Sequence, residues 1–319
     1  MEREDAILLT EVKALEALIS RLPAPHSYQK FLESELHKVS AGKRGEEKLL
    51  KKLAEFSWKE SFSVVPDVSL SKGNQKIQMD SLLLTDSQAI IIESKNINGK
   101  IHFDETTGEF YRYDKGGEKT VMDDPVVQLK RNMRFFNDWL ESGKLDLDVK
   151  GLVVFTANEC EFISKPQNVP ICKTYQLHEY LYSMLGAAPQ APSSNPKKVK
   201  KLIASQQTPY KRVPLCDYYQ IDPSALIRGV RCVSCGNFGS GTIKRTSWCC
   251  NKCGYTDAVA IQNTLNEYFS LISHTISNAE LRNFFRLESR HAASRILVKY
   301  EMEKSGERKM RKYKIKIPN

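Results

Sequence analysis

Nowhere does an apolar run approach the roughly 18 residues that a membrane-spanning helix needs. The opening Met1-Glu2-Arg3-Glu4-Asp5 is acidic where a secretory leader requires positive charge, so a cytoplasmic location is expected. No internal repeat is visible, which sets aside solenoid and propeller architectures. Two stretches have no acidic residue: Lys197 to Arg212 holds six basic residues, and Arg308 to Lys316 holds six more. Each is either a phosphate-contacting segment or a solvated linker or tail. Overall, 48 Lys and Arg face 38 Asp and Glu, a formal charge of +10 that suits a polyanionic partner. With 41% hydrophobic and 27% charged residues the chain falls outside the disordered class, and 319 residues can bury the cores of two domains.

Apolar positions Ile7, Leu8, Val12, Leu15, Leu18, Ile19 and Leu22 recur at helical spacing before Pro23 and Pro25. A second helical pattern, from about Tyr28 through Phe56, should break or kink near Gly42 and Gly45. After it the period becomes that of strands, at 62–68, 77–84, 89–93, 100–104 and 109–113. Pro125 suits the first turn of a helix that carries Val126, Leu129, Met133, Phe136 and Leu140. Gly151 to Phe155 reads as a buried strand, and residues 177–185 as a helix. The alternation implies an α/β or α+β sheet domain ending near residue 186. Five regions are expected: a helical arm at 1–40, a sheet domain at 41–186, a linker with a basic cluster at 187–228, a cysteine-rich module at 229–257, and a helical region with a basic tail at 258–319. Within the last, 258–272 and 278–297 look helical, and 313–317 alternates like a short exposed strand.

Asp80 interrupts an apolar strand, where a lone carboxylate is costly to desolvate without a partner. Thirteen residues on, the next strand ends in Glu93-Ser94-Lys95, and the two-residue period puts Glu93 and Lys95 on one face. Two neighbouring strands can therefore present Asp80, Glu93 and Lys95 to one small volume. Metal-assisted phosphodiester hydrolysis asks for this set: carboxylates to hold a hard cation such as Mg²⁺ or Mn²⁺, and an ammonium to orient water or stabilise developing charge. The bland alternative for a Glu-x-Lys is a structural or surface ion pair.

The order of motifs adds to this reading. Gly42-Lys43-Arg44-Gly45-Glu46, Met79-Asp80, Ile92-Glu93-Ser94-Lys95 and Asp124-Pro125-Val126-Val127-Gln128-Leu129-Lys130 together resemble the NERD (nuclease-related) domain over about residues 41–185. NERD is a branch of the PD-(D/E)XK restriction-endonuclease-like superfamily. The resemblance implies a central mixed sheet flanked by helices and a metal-binding set of Glu46, Asp80 and Glu93. It also implies Lys95 as the water-positioning lysine and Gln128 as a polar group reaching the active centre. Glu47 could replace Glu46 as the inward acid, and Gln128 could be a cap or surface residue. Lys130, Arg131 and Arg134 read as a solvated helix face. Pro66-Asp67 offers a literal P-D motif, but Asp80 has the better strand context. Asp67→Asn abolishing cleavage while Asp80→Asn spared it would reverse that choice.

Cys232-Val233-Ser234-Cys235 and Cys250-Asn251-Lys252-Cys253 are two C-x-x-C knuckles fourteen residues apart, each followed by a glycine. Four thiolates at this spacing suit a closed, structural Zn²⁺ site and resemble a zinc ribbon. Cys249 could stand in for Cys250. Cys160, Cys172 and Cys216 read as small buried hydrophobes. Lys244, Arg245 and Trp248, between the knuckles, could contact and stack on nucleic acid, or simply pack and be solvated. The expectation is a metal-dependent nuclease acting on nucleic acid, taken to be DNA. The alternative is a non-catalytic zinc protein that binds nucleic acid or protein, and the C-terminal helices could support a homo-oligomer.

Overall fold

The computed structural model describes residues 8–187, 196–207, 212–244, 247–300, 302–307 and 310–315. The chain divides into two compact units, residues 40–210 and residues 1–39 together with 211–318. Helix α1 (Glu11–Arg21) starts at Thr10, whose hydroxyl accepts the Lys13 N–H, and ends where Leu22 turns extended ahead of Pro23. Helix α2 (Gln29–Ala54) runs unbroken through both glycines where the sequence predicted a kink. The reason lies at Gly45: a Cβ there would sit 2.7 Å from Thr156 Oγ1 and 2.8 Å from the Cβ of Asn96. The missing side chain serves close packing of helix against strand ends and leaves the helical hydrogen bonds intact.

In the unit of residues 40–210, β1 (Ser63–Lys72), β2 (Gln75–Leu84) and β3 (Gln88–Lys95) form an antiparallel meander. Strands β4 (Gly99–Phe103), β5 (Phe110–Tyr113) and β6 (Lys119–Met122) form a second meander. Asp124 caps α3 (Pro125–Ser142) through the Val126 N–H, with Pro125 in the first turn. Then β7 (Asp148–Phe155) returns parallel to β3, β8 (Cys160–Phe162) pairs parallel with β4, and β9 (Ile171–Lys173) pairs parallel with β7. Helices α4 (Leu177–Gly186) and α5 (Pro196–Gln206) follow. The central sheet has the order β1-β2-β3-β7-β9 and the smaller one β6-β5-β4-β8. This is a mixed α/β architecture with a mixed central sheet, consistent with a restriction-endonuclease-like fold.

Both faces of the central sheet are covered, which explains its near-continuous apolar strands. Leu82, Leu84, Ala89 and Ile91 join α3 and α5 in one core, while Leu83, Ile90 and Ile92 meet Leu49 and Leu53 of α2 and Leu177, Leu181 and Leu185 of α4 in another. Strands β6, β8 and β9 were not anticipated, since three or four residues carry too little alternation to register. Helix α5 lies within the stretch expected to be a linker. Its Pro196, Val199 and Ile203 are buried in the core on the β1 side, at a helical spacing that the neighbouring lysines obscure.

The other unit adds α6 (Leu215–Tyr219), the short pair β10 (Val230–Arg231) and β11 (Phe238–Gly239), and a sheet of β12 (Gly241–Lys244), β13 (Ser247–Cys250) and β14 (Thr256–Asp257). Helix α7 (Ala260–Leu271), β15 (Thr275–Ser277), α8 (Asn278–Phe285), α9 (Arg290–Lys299), β16 (Met302–Ser305) and β17 (Lys312–Ile315) complete it. The single helix expected at 278–297 is two, because Arg286 adopts a left-handed conformation (φ 54°) and Ser289 caps a fresh start. Strand β17 is half-buried and not an exposed strand: Tyr313 and Ile315 point into the core. Arg21 is fully buried in this unit, paired with Glu267 at 2.5 Å, donating to Ile227 O and lying over the rings of Phe238 and Phe284. Among the described residues no helix is long and apolar enough to cross a membrane.

Candidate active site and cysteine cluster

Strands β2 and β3 pair as far as Ser81 with Ile92 and then separate, β2 continuing beside β1 and β3 beside β7. One residue past that last rung, Asp80 falls opposite Glu93, so two acids stand at the mouth of a fork in the sheet. Asp80 ties the fork together: its Oδ2 accepts from Ser94 N at 2.7 Å and from Ser94 Oγ at 2.8 Å. Asn132 of α3 ties it a second time, its Nδ2 donating to Gln78 O at 2.9 Å and to Glu93 Oε1 at 2.6 Å.

Glu93 is 1% exposed. Its other oxygen accepts from Gln128 Nε2 at 3.0 Å, and Gln128 Oε1 accepts from Lys95 Nζ at 2.8 Å. One amide therefore fixes the lysine relative to the carboxylate, and the two bonds fix which way that amide points. Gln128 and Asn132 sit four residues apart, on one face of α3. Burial, and secondarily the charge of Asp80, push the Glu93 carboxyl up to about 8.

Glu46 lies one residue after the close contact at Gly45, half-buried and paired with Lys43 at 3.0 Å, whereas Glu47 is exposed. Burial raises its carboxyl, with smaller contributions from Asp80 and Asp67. Of the two adjacent acids, Glu46 is thus the one that senses the fork. Asp67 stands at the rim, exposed, in a left-handed conformation (φ 48°), its Oδ1 accepting from Gln78 Nε2. Lys130, Arg131 and Arg134 lie on the exposed face of α3. The fork brings together Asp80, Glu93, Lys95 and Gln128, with Glu46 within electrostatic reach. Asn132 and Ser94 were missed by sequence reasoning. The signal for Asn132 was an amide one turn beyond Gln128 inside the apolar stripe of Leu129, Met133 and Phe136, where a polar side chain must find a partner.

The donor set fits a hard divalent cation. Asp80 Oδ1 has no hydrogen-bond partner among the described residues, Asn132 Oδ1 is buried without one, and two of the three carboxyls are held above their ordinary range by burial and, less, by the neighbouring charge of Asp80.

Residues 41–156 match the family model of the nuclease-related domain, NERD. The match includes every acid and amide of the fork. No curated protein and no solved structure matches the chain.

Beyond the residues that match the NERD model, Cys232, Cys235, Cys250 and Cys253 form a cluster whose sulfurs all lie within 4.8 Å of one another. Cys232 and Cys253 Sγ are 3.6 Å apart, and Cys235 and Cys250 Sγ 3.9 Å. Four sulfurs each about 2.3 Å from a central zinc would be roughly 3.8 Å apart, so the cluster could hold that ion. Backbone N–H groups of Cys253 and Lys252 draw the Cys250 thiol down to about 7. Strand period decides between Cys249 and Cys250. On β13, Trp248 and Cys250 point inward, and Cys249 points the other way with its Sγ on Gly254 O.

The same alternation overturns the reading of Trp248 as a nucleic-acid stacking residue. It is 1% exposed, buried with Tyr268 and Phe269 of α7, and a Cβ on Gly241 would overlap its indole. Lys244 closes β12, while Arg245 lies outside the described residues, as do Lys211, Arg308, Lys309 and Lys316. Cys160, Cys172 and Cys216 are buried, their thiols pushed up to about 11, 12 and 12 by burial.

Proposed function

We propose that this protein is a metal-dependent nuclease that hydrolyses phosphodiester bonds, with DNA as its substrate. The observation that carries the reading is the unbroken hydrogen-bonded path Lys95–Gln128–Glu93–Asn132 beside Asp80, at a fork in a NERD-domain sheet. Asp80, Glu93 and Glu46 would hold Mg²⁺ or Mn²⁺ by oxygen. A bound divalent ion supplies polarisation of the scissile phosphate and a lower pKa for water. Lys95, positioned by Gln128, would orient the attacking water or stabilise charge on the phosphorane oxygens. Ser94 and Asn132 keep the two strands at a fixed opening, which sets the spacing of the acids. The four-cysteine ribbon would carry Zn²⁺ as a structural ion, since four thiolates leave no open coordination position. The basic surfaces would hold the polyanion.

The test is cleavage of labelled single- and double-stranded DNA and RNA with Mg²⁺ or Mn²⁺, comparing wild type with Lys95→Ala and Glu93→Gln. The reading expects divalent-dependent turnover that both variants lose while remaining folded. Salt-sensitive binding with no turnover in any of these mixtures would leave a non-catalytic zinc protein that binds nucleic acid.

A further inference from the structure

The metal chemistry at the fork uses no residue of α5. Its inward side is Pro196, Val199 and Ile203, and Lys197, Lys198, Lys200 and Lys201 are all exposed, with no acidic residue in the helix. Between this helix, the end of β1 and the C-terminal end of α3 lies a pocket of about 500 Å³, lined by Lys72, Lys198, Lys201, Ser142, Ser205 and Gln206 among others. No acidic residue is among those lining it. Lys72 is held in place there, its Nζ donating to Asp138 O at 3.0 Å and to Ser142 Oγ at 2.7 Å. The Ser142 and Ser205 hydroxyls give their protons to Asp138 O and Leu202 O, so the groups left to meet an anion are the ammonium ions, with no carboxylate in the lining to compete.

The C-terminal end of α5 leads to the fork. Gln207, just past the helix, donates its Nε2 to Asp67 O at 2.7 Å, and the charge of Asp67 is felt at Glu46. At 1.5 Å rise per residue, Lys201 and Lys198 lie roughly 9 and 14 Å up the helix from Gln207. Along one nucleic-acid strand, with a phosphate about every 3.4 Å of helix axis, that is a span of roughly three to four phosphates. A free phosphate would need the pocket alone. The basic face extends past it through Lys197 and Lys200, a row suited to a repeating anion.

We propose that this pocket and the lysine face of α5 bind the sugar-phosphate backbone of a nucleic-acid strand a few phosphates from the fork. The identity of the polyanion rests on the nuclease reading. The site itself rests on the lysines and the absence of acid in the lining.

The experiment is fluorescence anisotropy of a short labelled oligonucleotide over a series of salt concentrations, with no added Mg²⁺ or Mn²⁺. Wild type is compared with Lys198→Gln/Lys201→Gln and with Lys72→Gln. The double variant should bind more weakly, and its slope of log Kd against log salt should fall by about 1.4 to 1.8, two phosphate contacts at roughly 0.7–0.9 each. Lys72→Gln should lower the slope by about half that. Thermal melts check that Val199 and Ile203 still pack. If the double variant melts early, the single variants Lys198→Gln and Lys201→Gln carry the same reading at one contact each. Wild-type slope and affinity in folded variants would overturn the proposal. So would displacement of the oligonucleotide by inorganic phosphate at equal phosphate concentration, which marks a small-anion site. Lysine-dependent binding without cleavage keeps this inference and sinks the nuclease reading. Cleavage with an unaltered salt slope does the reverse.

Discussion

The acid fork and the cysteine cluster are both candidate metal sites, and they are built in opposite ways. The cluster draws its four sulfurs from twenty-two consecutive residues, Cys232 to Cys253, so two tight turns and two short sheets suffice to assemble it. The fork draws Glu46 from α2, Asp80 from β2, Glu93 and Lys95 from β3, and Gln128 and Asn132 from α3. Its geometry exists only when helix, sheet and helix are all in place. A local site depends on its metal for folding, whereas a convergent site depends on the fold for its metal affinity.

The largest effect should come from the cluster. Replacing Cys232 or Cys253 by Ser, or stripping the ion with a chelator, removes a structural site of the kind worth about 10 kcal/mol or more in isolated zinc peptides. Near-stoichiometric zinc by mass spectrometry should vanish with the early part of the thermal melt. Retention of the full melt without zinc would mean that the cluster is not a folding site. Next is Trp248→Ala, which should cost about 3–5 kcal/mol through the cavity it leaves. Its folded fraction should bind oligonucleotide as wild type does. A loss of affinity with unchanged stability would restore the stacking role that burial denies it.

The fork predicts a pH effect of a few kcal/mol. Glu93 keeps its proton to about 8 in the folded protein, against 4.5 ordinarily. Its contribution to stability is therefore complete below 4.5 and is lost as pH rises through about 8. Without divalent ions, wild type should lose stability between about pH 5 and pH 9, and Glu93→Gln should lose much less of it. Parallel pH profiles for the two proteins in urea unfolding would count against the buried, charge-crowded setting of Glu93. The smallest effect on stability is that of Gln128→Ala, expected to lower turnover about 10- to 100-fold, as an outer partner that orients a metal-site group, and to cost about 1–3 kcal/mol through the buried Glu93 oxygen left without its donor. Rescue by Gln128→Glu is not expected, because a carboxylate cannot donate to Glu93.

Much of this was legible in the sequence, and the limits follow from the same contrast. The cysteine spacing identified the cluster, and the two-residue period from Cys250 would also have told that Trp248 points inward. Apolar runs located β2, β3 and β7, and Glu93-Ser94-Lys95 located the end of β3. Asn132 was hidden because a buried amide reads as polar in an apolar stripe until its partner is known. The kink anticipated at Gly45 was a local inference about a residue whose constraint is tertiary, the approach of Thr156 and Asn96. Helix α5 was hidden by its own lysines: Lys197, Lys198, Lys200 and Lys201 mask the spacing of Val199 and Ile203.

The most direct test is a titration of the zinc-loaded protein with Mn²⁺, followed by electron paramagnetic resonance or calorimetry, on wild type, Asp80→Asn and Glu93→Gln. If the fork grips a hard cation, wild type binds Mn²⁺ and both variants lose that binding while keeping their zinc and remaining folded. Undiminished Mn²⁺ binding in the two variants, or none in wild type, would contradict it.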